Sequence, residues 1–318
     1  MSKFADVAPT TAPVAASPLA TGTPAAQFEI TPDLVEGLLR RQHPDLANLD
    51  IRPAASGWDN MMFRLGDTMA VRLPRRAIAA PLILHEQQWL PVLAPTLPRP
   101  IPAPNRSGRP DESYPWSWSV LPWLVGEPAD LAPPRPDQGP ALGEFFAALH
   151  RPAPDDAPHN PYRGVPLSER RDIHETRMAR LAEATDVITP AITEIWTTAL
   201  AAPEGERRTW LQGDPHGKNV LTDQGRFSAV IDWGDLCAGD PASDLAAIWM
   251  LLPEAATRAA AIEAYGGLDE PLFHRAQGWA VIFGVMLLEA GLIDDPRLAQ
   301  MGSATLHRLE VGATKSRL

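Results

Sequence analysis

The sequence predicts an α+β protein of two lobes, a small antiparallel-sheet lobe followed by a larger, mostly helical one. Three observations carry this reading. Short strand-like runs separated by turn residues occupy the stretch from Ile51 to Leu121. From Leu167 onward the apolar residues fall mostly at helical spacing, interrupted by a hairpin-like segment at 208–235. With 318 residues, 45% of them hydrophobic, the chain is long enough to bury a substantial core in two lobes. The expected division is an Ala/Pro/Thr-rich disordered tail at 1–27, a sheet lobe at 28–126 and a helical lobe at 127–318.

Element by element, Thr31-Pro32 offers an N-cap with proline at the first helical position, and Leu34, Val35, Leu38 and Leu39 supply the apolar face behind it. Ile51 to Ser56 and Met61 to Leu65 read as strands, and Gly66-Asp67 turns the chain into a third at Thr68 to Leu73. Ala79 to Leu93 reads as a helix broken by Pro91. Proline-rich segments at 95–104 and 110–115 flank a strand at Trp116 to Leu121, in a small lobe expected to hold five strands. Beyond the connector at Pro128 to Pro140, Ala141 to His150 is helical. Asp240-Pro241 repeats the cap-and-proline pair and should open a helix through Leu252, with two or three more helices from Glu254 to about Arg308.

The formal charge of −11 argues against a nucleic acid or an anionic membrane as partner and favours a cationic small molecule. The single cysteine, Cys237, excludes an internal disulfide and fits a reducing compartment. No apolar run reads as a membrane span and the first 27 residues lack a secretory apolar segment, so cytoplasm is the expected location.

The chemistry concentrates in Gln212-Gly213-Asp214-Pro215-His216-Gly217-Lys218-Asn219, followed thirteen residues after the Asn by Asp232-Trp233-Gly234. Transfer of a phosphoryl group from a nucleotide needs a carboxylate to hold the acceptor hydroxyl, and an amide and a second carboxylate to hold Mg²⁺ on the phosphates. Asp214 suits the first role, Asn219 and Asp232 the second, and Val220-Leu221, a polar turn and Phe227 to Ile231 make the hairpin between them. These residues, with Gly239-Asp240-Pro241-Ala242-Ser243-Asp244-Leu245-Ala246, resemble the aminoglycoside phosphotransferase family of the protein-kinase-like superfamily. The resemblance covers most of residues 30–315 and is strongest from Trp210 to Ala247.

The resemblance implies a bilobal protein-kinase-like fold, ATP or GTP as phosphoryl donor, Mg²⁺ and a small-molecule hydroxyl as acceptor. An aminoglycoside is the family-implied acceptor. A macrolide, an endogenous hydroxylated metabolite and a nucleotide-binding pseudokinase are the alternatives. His216 matches the family's Asp-x-His, where it could approach the γ-phosphate; a satisfied loop histidine is the other reading. Gln212 stands where the family has His and should brace the loop more loosely, through one more rotatable bond. Asp244 reads as an anchor for the loop, and Lys218 as solvent-facing or as a further charge on the phosphoryl group.

On the nucleotide side, Ser56-Gly57-Trp58-Asp59-Asn60 lies where a kinase-like lobe places its phosphate-covering loop, with Ser56 and Asn60 as candidate contacts. Arg72, in Val71-Arg72-Leu73, stands where a kinase carries lysine, and Glu86 is its candidate partner. Arg75 and Arg76 read as a solvated turn. Leu121-Pro122-Trp123-Leu124 resembles the hinge, with Trp123 and Leu124 as walls for a base or, for Trp123, as core. For a cationic acceptor, Asp235, Glu263, Glu289, Asp294 and Asp295 are the candidate carboxylates, and Trp279 and Phe283 the candidate apolar wall.

Overall fold

The structure is a computed structural model that describes residues 24–205 and 208–315. Most of the expected tail therefore lies outside the described residues. Gln27, at its end, is tied to the sheet lobe: its N–H donates to Arg75 O at 2.9 Å and its Oε1 accepts from Ala77 N at 2.7 Å.

The sheet lobe opens with α1 (Pro32–Gln42), where Thr31 Oγ1 accepts from Leu34 N at 3.3 Å and Val35, Leu38 and Leu39 are buried. Then come β1 (Ile51–Ser56), β2 (Asn60–Leu65), β3 (Met69–Pro74), α2 (Ala80–Leu93), β4 (Arg106–Gly108) and β5 (Trp118–Pro122). The strands form one antiparallel sheet in the order β1-β2-β3-β5-β4. Val71 pairs with Phe63 and Val120, and all three are buried in one cluster with Leu38 and Leu39 of α1. Side chains alternate across a strand, so the next residue, Arg72, faces the other side of the sheet. Gln87 of α2 donates to Trp118 O at 2.8 Å on that side, which brings Glu86 within reach of Arg72.

Two local expectations differ. Pro91 does not break α2, which continues through Leu93; Pro91 is exposed, so the carbonyl it leaves without a helical partner can face water. The short β4 lies between the two proline-rich segments and was not read from the sequence. Its Gly108 lies against Trp118, where a Cβ would come 1.9 Å from the indole ring, so only glycine allows the strands to pair there.

The helical lobe contains β6 (Glu127–Pro128), α3 (Gly139–Leu149), α4 (Leu167–Ala184), α5 (Pro190–Ala201), β7 (Thr209–Leu211), β8 (Val220–Asp223), β9 (Arg226–Val230) and β10 (Cys237–Gly239). It closes with α6 (Ala242–Leu245), α7 (Ala247–Leu251), α8 (Ala255–Tyr265), α9 (Glu270–Asp294) and α10 (Pro296–Lys315). β8 and β9 join through Gln224-Gly225, both at positive φ (50° and 74°), the geometry of a tight hairpin turn. β7 pairs with β10, so the segment from Gln212 to Leu236 forms a loop system closed at its base. Behind Asp240-Pro241 the expected single helix is two, α6 and α7, meeting at Ala246. The Asp240 carboxylate accepts from Ala242 N at 3.1 Å and is also held by Arg275 at 2.6 Å.

α9 runs through the middle of this lobe, with Ala276, Trp279, Ala280, Val281 and Phe283 buried. Contrary to the sequence reading, Glu270–Asp294 is long and apolar enough to cross a membrane; 67% of that apolar stretch is buried inside the fold, as for a core helix.

Candidate active site

The loop after β7 is held from below by Asp244. Its carboxylate accepts from Gln212 N at 2.7 Å and from Gly213 N at 2.8 Å, and His150 Nε2 lies 3.4 Å away. Gly213 sits at φ +91°, and a Cβ there would come 2.5 Å from Asp235 O, so the turn requires glycine. Gln212 is fully buried and uses both ends of its amide. Oε1 accepts from Asp214 N at 2.8 Å, while Nε2 donates to Asp232 O at 2.6 Å and to Ile231 O at 3.2 Å. The expected loose brace is instead a three-bond clasp between the two motifs, because packing removes the freedom of the extra rotatable bond. The clasp also holds Asp232 at φ +53°, a left-handed conformation that non-glycine residues seldom adopt.

Around Asp214 stand three partners. His216 Nε2 is 3.3 Å from Oδ2, Arg163 Nη2 is 3.4 Å from Oδ1, and Asn219 Nδ2 is 3.2 Å from Oδ2 and 2.9 Å from the main-chain oxygen. Burial pushes the Asp214 carboxyl up, but His216 and then Arg163 outweigh it and hold the group at about 2. His216 moves the opposite way: burial lowers it, and Asp214 more than restores its charge. Ile231 N donates to Asn219 O at 2.8 Å, setting Asp232 next to Asn219.

Arg163 escaped the sequence reading. It is buried, lies 3.6 Å from Asp235 as well as near Asp214, and its guanidinium covers the Phe283 ring at 5.0 Å. Asp235 also accepts from Asn160 Nδ2 at 2.7 Å; burial leads its upward shift, against the pull of Arg163. Cys237 is buried beneath, with its thiol pushed well up by burial, as a packed small residue.

A second cluster spans the lobes. Arg72 is 5% exposed, 3.0 Å from Glu86 Oε1 and 2.8 Å from Asp232 Oδ1. Burial would weaken the Arg72 charge, but Glu86 and Asp232 hold it above its ordinary value. Glu86 is driven up to about 7 by burial, which Arg72 only partly offsets.

The remaining nucleotide-side candidates make contacts of their own, and the charge of Asp59 in the 56–60 turn reaches Arg72. The 56–60 turn is closed by Gly57 N donating to Asn60 O at 2.9 Å, and Ser56 Oγ accepts from Arg75 at 3.0 Å. Asn60 is buried with no donor to its Oδ1 among the described residues. Arg75 and Arg76 are not a solvated turn: Arg75 binds Gly57 O at 2.8 Å and Arg76 pairs with Asp59, so both brace the loop. Trp123 is 40% exposed rather than core, with Arg64 over its ring at 4.1 Å, beside the half-buried Leu124.

The acceptor-side expectations fare differently. Trp279 and Phe283 are fully buried and offer no exposed wall, because α9 packs on all sides. Glu289 is engaged by Arg177 and Arg180, and Asp295 by Lys218, whose part-exposed ammonium is thereby paired. Glu263 and Asp294 are exposed. Of these carboxylates only Asp235 adjoins Asp214, through the Arg163 that lies near both.

The sequence from residue 50 to 279 matches the phosphotransferase enzyme family (APH), and the chain belongs to that family. No curated protein matches it. Among solved structures, it is similar to the GDP and kanamycin complex of APH(2")-IIIa, at 17% identity, with 87% of this chain and 98% of that chain covered and a TM-score of 0.58. It is similar to the macrolide 2'-phosphotransferase MphH from Brachybacterium faecium, at 22% identity over 86% and 97% of the chains, TM-score 0.55. The streptomycin-ATP-APH(2")-IIa ternary complex matches at 16% identity over 88% and 99%, TM-score 0.52. These likenesses establish the bilobal kinase-like α+β fold.

Proposed function

We propose that the protein transfers the γ-phosphoryl group of ATP or GTP to a hydroxyl of a small molecule. The observation that carries this is the pairing of an ionised Asp214 with Asn219 across a hydrogen bond of 3.2 Å, beside Asp232. An acceptor hydroxyl donating to Asp214 is aimed at the γ-phosphorus. As the new O–P bond forms and the bond to the leaving diphosphate breaks, the hydroxyl proton passes to the Asp214 oxygen.

The donor set fits Mg²⁺. Asn219 Nδ2 is turned to Asp214, which leaves its Oδ1 as a hard oxygen donor beside the Asp232 carboxylate. No group of three or more His, Cys, Asp or Glu that could hold a metal occurs among the described residues, and a Mg²⁺ carried in on nucleotide phosphates needs no such cage. Bound there, Mg²⁺ supplies charge neutralisation on the phosphates. Arg72, whose guanidinium already lies against Asp232, supplies a second, permanent positive charge.

An aminoglycoside acceptor is supported by the kanamycin and streptomycin complexes among the similar structures and by the net charge of −11. The local charges do not add to that support: Asp235, Glu289 and Asp295 each already face an arginine or lysine. A binding-only protein is the alternative favoured by the Arg72–Asp232 contact, which occupies one metal-ligand oxygen.

Purified protein with Mg-ATP or Mg-GTP and a panel of hydroxylated acceptors tests the reading through release of nucleoside diphosphate. Asp214→Asn should lower turnover by roughly 10²–10⁴-fold and leave nucleotide affinity unchanged. A variant as fast as the parent removes Asp214 from the reaction, and tight nucleotide binding with no acceptor turned over selects the binding-only alternative.

A further inference from the structure

The proposed reaction leaves unused a basic face that begins at the catalytic carboxylate and runs along α4. Arg163 touches Asp214, and its positive charge reaches both Arg170 and Arg177. Arg170, His174 and Arg177 follow one another at i, i+4 and i+7, on one side of the helix, and Arg180 extends the row. Arg177 Nε lies 3.4 Å from Glu289 Oε2, and Arg180 pairs with the other oxygen of the same carboxylate. Arg170 contacts no carboxylate among the described residues; its guanidinium stands 5.2 Å from the Tyr162 ring centre. Of these three arginines of α4, Arg177 and Arg180 share one acid in direct contact, while Arg170 feels only the charges of Tyr162 and the exposed Glu169 against those of Arg163 and Arg177.

The cluster is also short of acceptors. The Nε atoms of Arg163, Arg170, Arg177 and Arg180 are buried without an aligned partner among the described residues, as are His174 Nε2 and Glu289 Oε2, the one open carboxylate oxygen beside four such donors. Burial, then Arg177 and Arg170, push His174 down to about 3, so it stays neutral and adds no charge to the row. Buried guanidinium donors without partners are costly, and a planar oxyanion is the group whose geometry and charge satisfy them.

We infer that this face binds an oxyanion carried by the acceptor itself: a hydroxylated small molecule bearing a carboxylate or a phosphate monoester, with the anion on Arg170 and Arg177 and the hydroxyl at Asp214. The inference rests on the phosphotransferase reading for the role of Asp214. The overall charge of −11 does not oppose it, because a ligand in a cleft responds first to the charges lining that cleft. An ammonium-rich acceptor would meet repulsion on the same face.

The test uses the full chain with Mg-ATP and matched acceptors: glucose and ribose as neutral compounds, gluconate for the carboxylate, ribose 5-phosphate for the phosphate, and kanamycin for the polycation. At least one anionic acceptor should exceed its neutral counterpart and kanamycin in kcat/KM by about tenfold or more, with the advantage shrinking as salt rises. Which of gluconate and ribose 5-phosphate leads distinguishes the two anions. Arg170→Glu should raise KM for the preferred anion by about tenfold while changing kcat less, and Arg170→Lys should restore most of the affinity. Arg171→Glu, at an exposed position of α4, is the control and should change neither.

Glucose, ribose or kanamycin used as well as both anions would overturn the anion site and leave phosphoryl transfer standing. If no acceptor is turned over, tryptophan fluorescence titration with gluconate and ribose 5-phosphate decides. Binding lost in Arg170→Glu and kept in Arg170→Lys would uphold the anion site while removing the phosphotransferase reading; no binding would overturn the site.

Discussion

Arg72 Nη2 lies 2.8 Å from Asp232 Oδ1, joining the third strand of the sheet lobe to the Asp-Trp-Gly turn of the helical lobe across 160 positions of sequence. The same guanidinium faces the buried Glu86, so one cation is shared between a structural partner and a metal-ligand candidate. In the proposed reaction, removing Asp232 takes from Mg²⁺ its carboxylate and from Arg72 its cross-lobe contact. Asp232→Ala should therefore abolish Mg²⁺-dependent nucleotide binding, and Asn219→Ala should weaken it less. Calorimetric titration with Mg-ATP checks this, and equal affinity in the parent and Asp232→Ala would reject the assignment.

After His216, Arg163 helps to hold Asp214 ionised, and does so from outside the motif. Arg163→Gln removes a cation that favours the ionised carboxylate, so the Asp214 pKa must rise from its depressed value. The acid limb of the kcat/KM profile should shift to higher pH, with activity at pH 8 reduced less than activity at pH 5. A purely structural arginine would lower the whole profile without moving its limb.

Gln212→Leu keeps the volume of the side chain but strips its amide. Asp214 N, Ile231 O and Asp232 O would each lose a partner in a buried setting, at a cost of about 1–3 kcal/mol for each group left unpaired. Gln212→His can both donate and accept and should keep most of the activity. Urea unfolding of both variants, beside their turnover, measures the two effects; a Gln212→Leu variant as stable as the parent would show that the clasp contributes nothing.

His174 gives a pH signature separate from catalysis. Its folded-state pKa is depressed to about 3, below the ordinary 6.5, so the unfolded chain takes up the proton first as pH falls. The stability it contributes is present above 6.5 and is lost as pH drops toward 3, with a slope of up to about 1.4 kcal/mol per pH unit. His174→Gln should flatten that loss. Thermal midpoints of both proteins at pH 7, 5.5 and 4.5 provide the check.

The Gln212–Asn219 loop was readable in the sequence because its residues are close together in the chain and their spacing is itself the geometry. Asp214, His216 and Asn219 span six positions, and a two-residue turn fixes the return to Asp232. The order of sheet lobe and helical lobe was readable from periodicity for the same local reason. Arg163 was not, since it lies 51 residues before Asp214, in Asn160-Pro161-Tyr162-Arg163-Gly164, where prolines erase any periodic signal. The isolated Arg-Gly between two prolines was the one available cue, as Gly164 at φ +63° packs against the backbone of Gly239. Trp279 and Phe283 were misjudged because helical spacing gives a face without saying how many neighbours cover it. Pro91 was misjudged because its penalty depends on whether the orphaned carbonyl meets water, which is a property of the packed structure.

Arginine at position 72 also changes what chemistry can be done to this protein from outside. Lys3, Lys218 and Lys315 are the only lysines in the sequence, so no primary amine stands on the strand that faces the nucleotide side. Reagents that tag kinases by acylating an amine next to bound phosphates would find only the Lys218 ammonium near the catalytic loop, already paired with Asp295. In a chemical survey of nucleotide-using proteins built on such acylation, the proposed nucleotide binding of this chain would go uncounted. Its detection calls for labels aimed at guanidinium groups, such as dicarbonyls, with protection by Mg-nucleotide as the sign that Arg72 was the group modified.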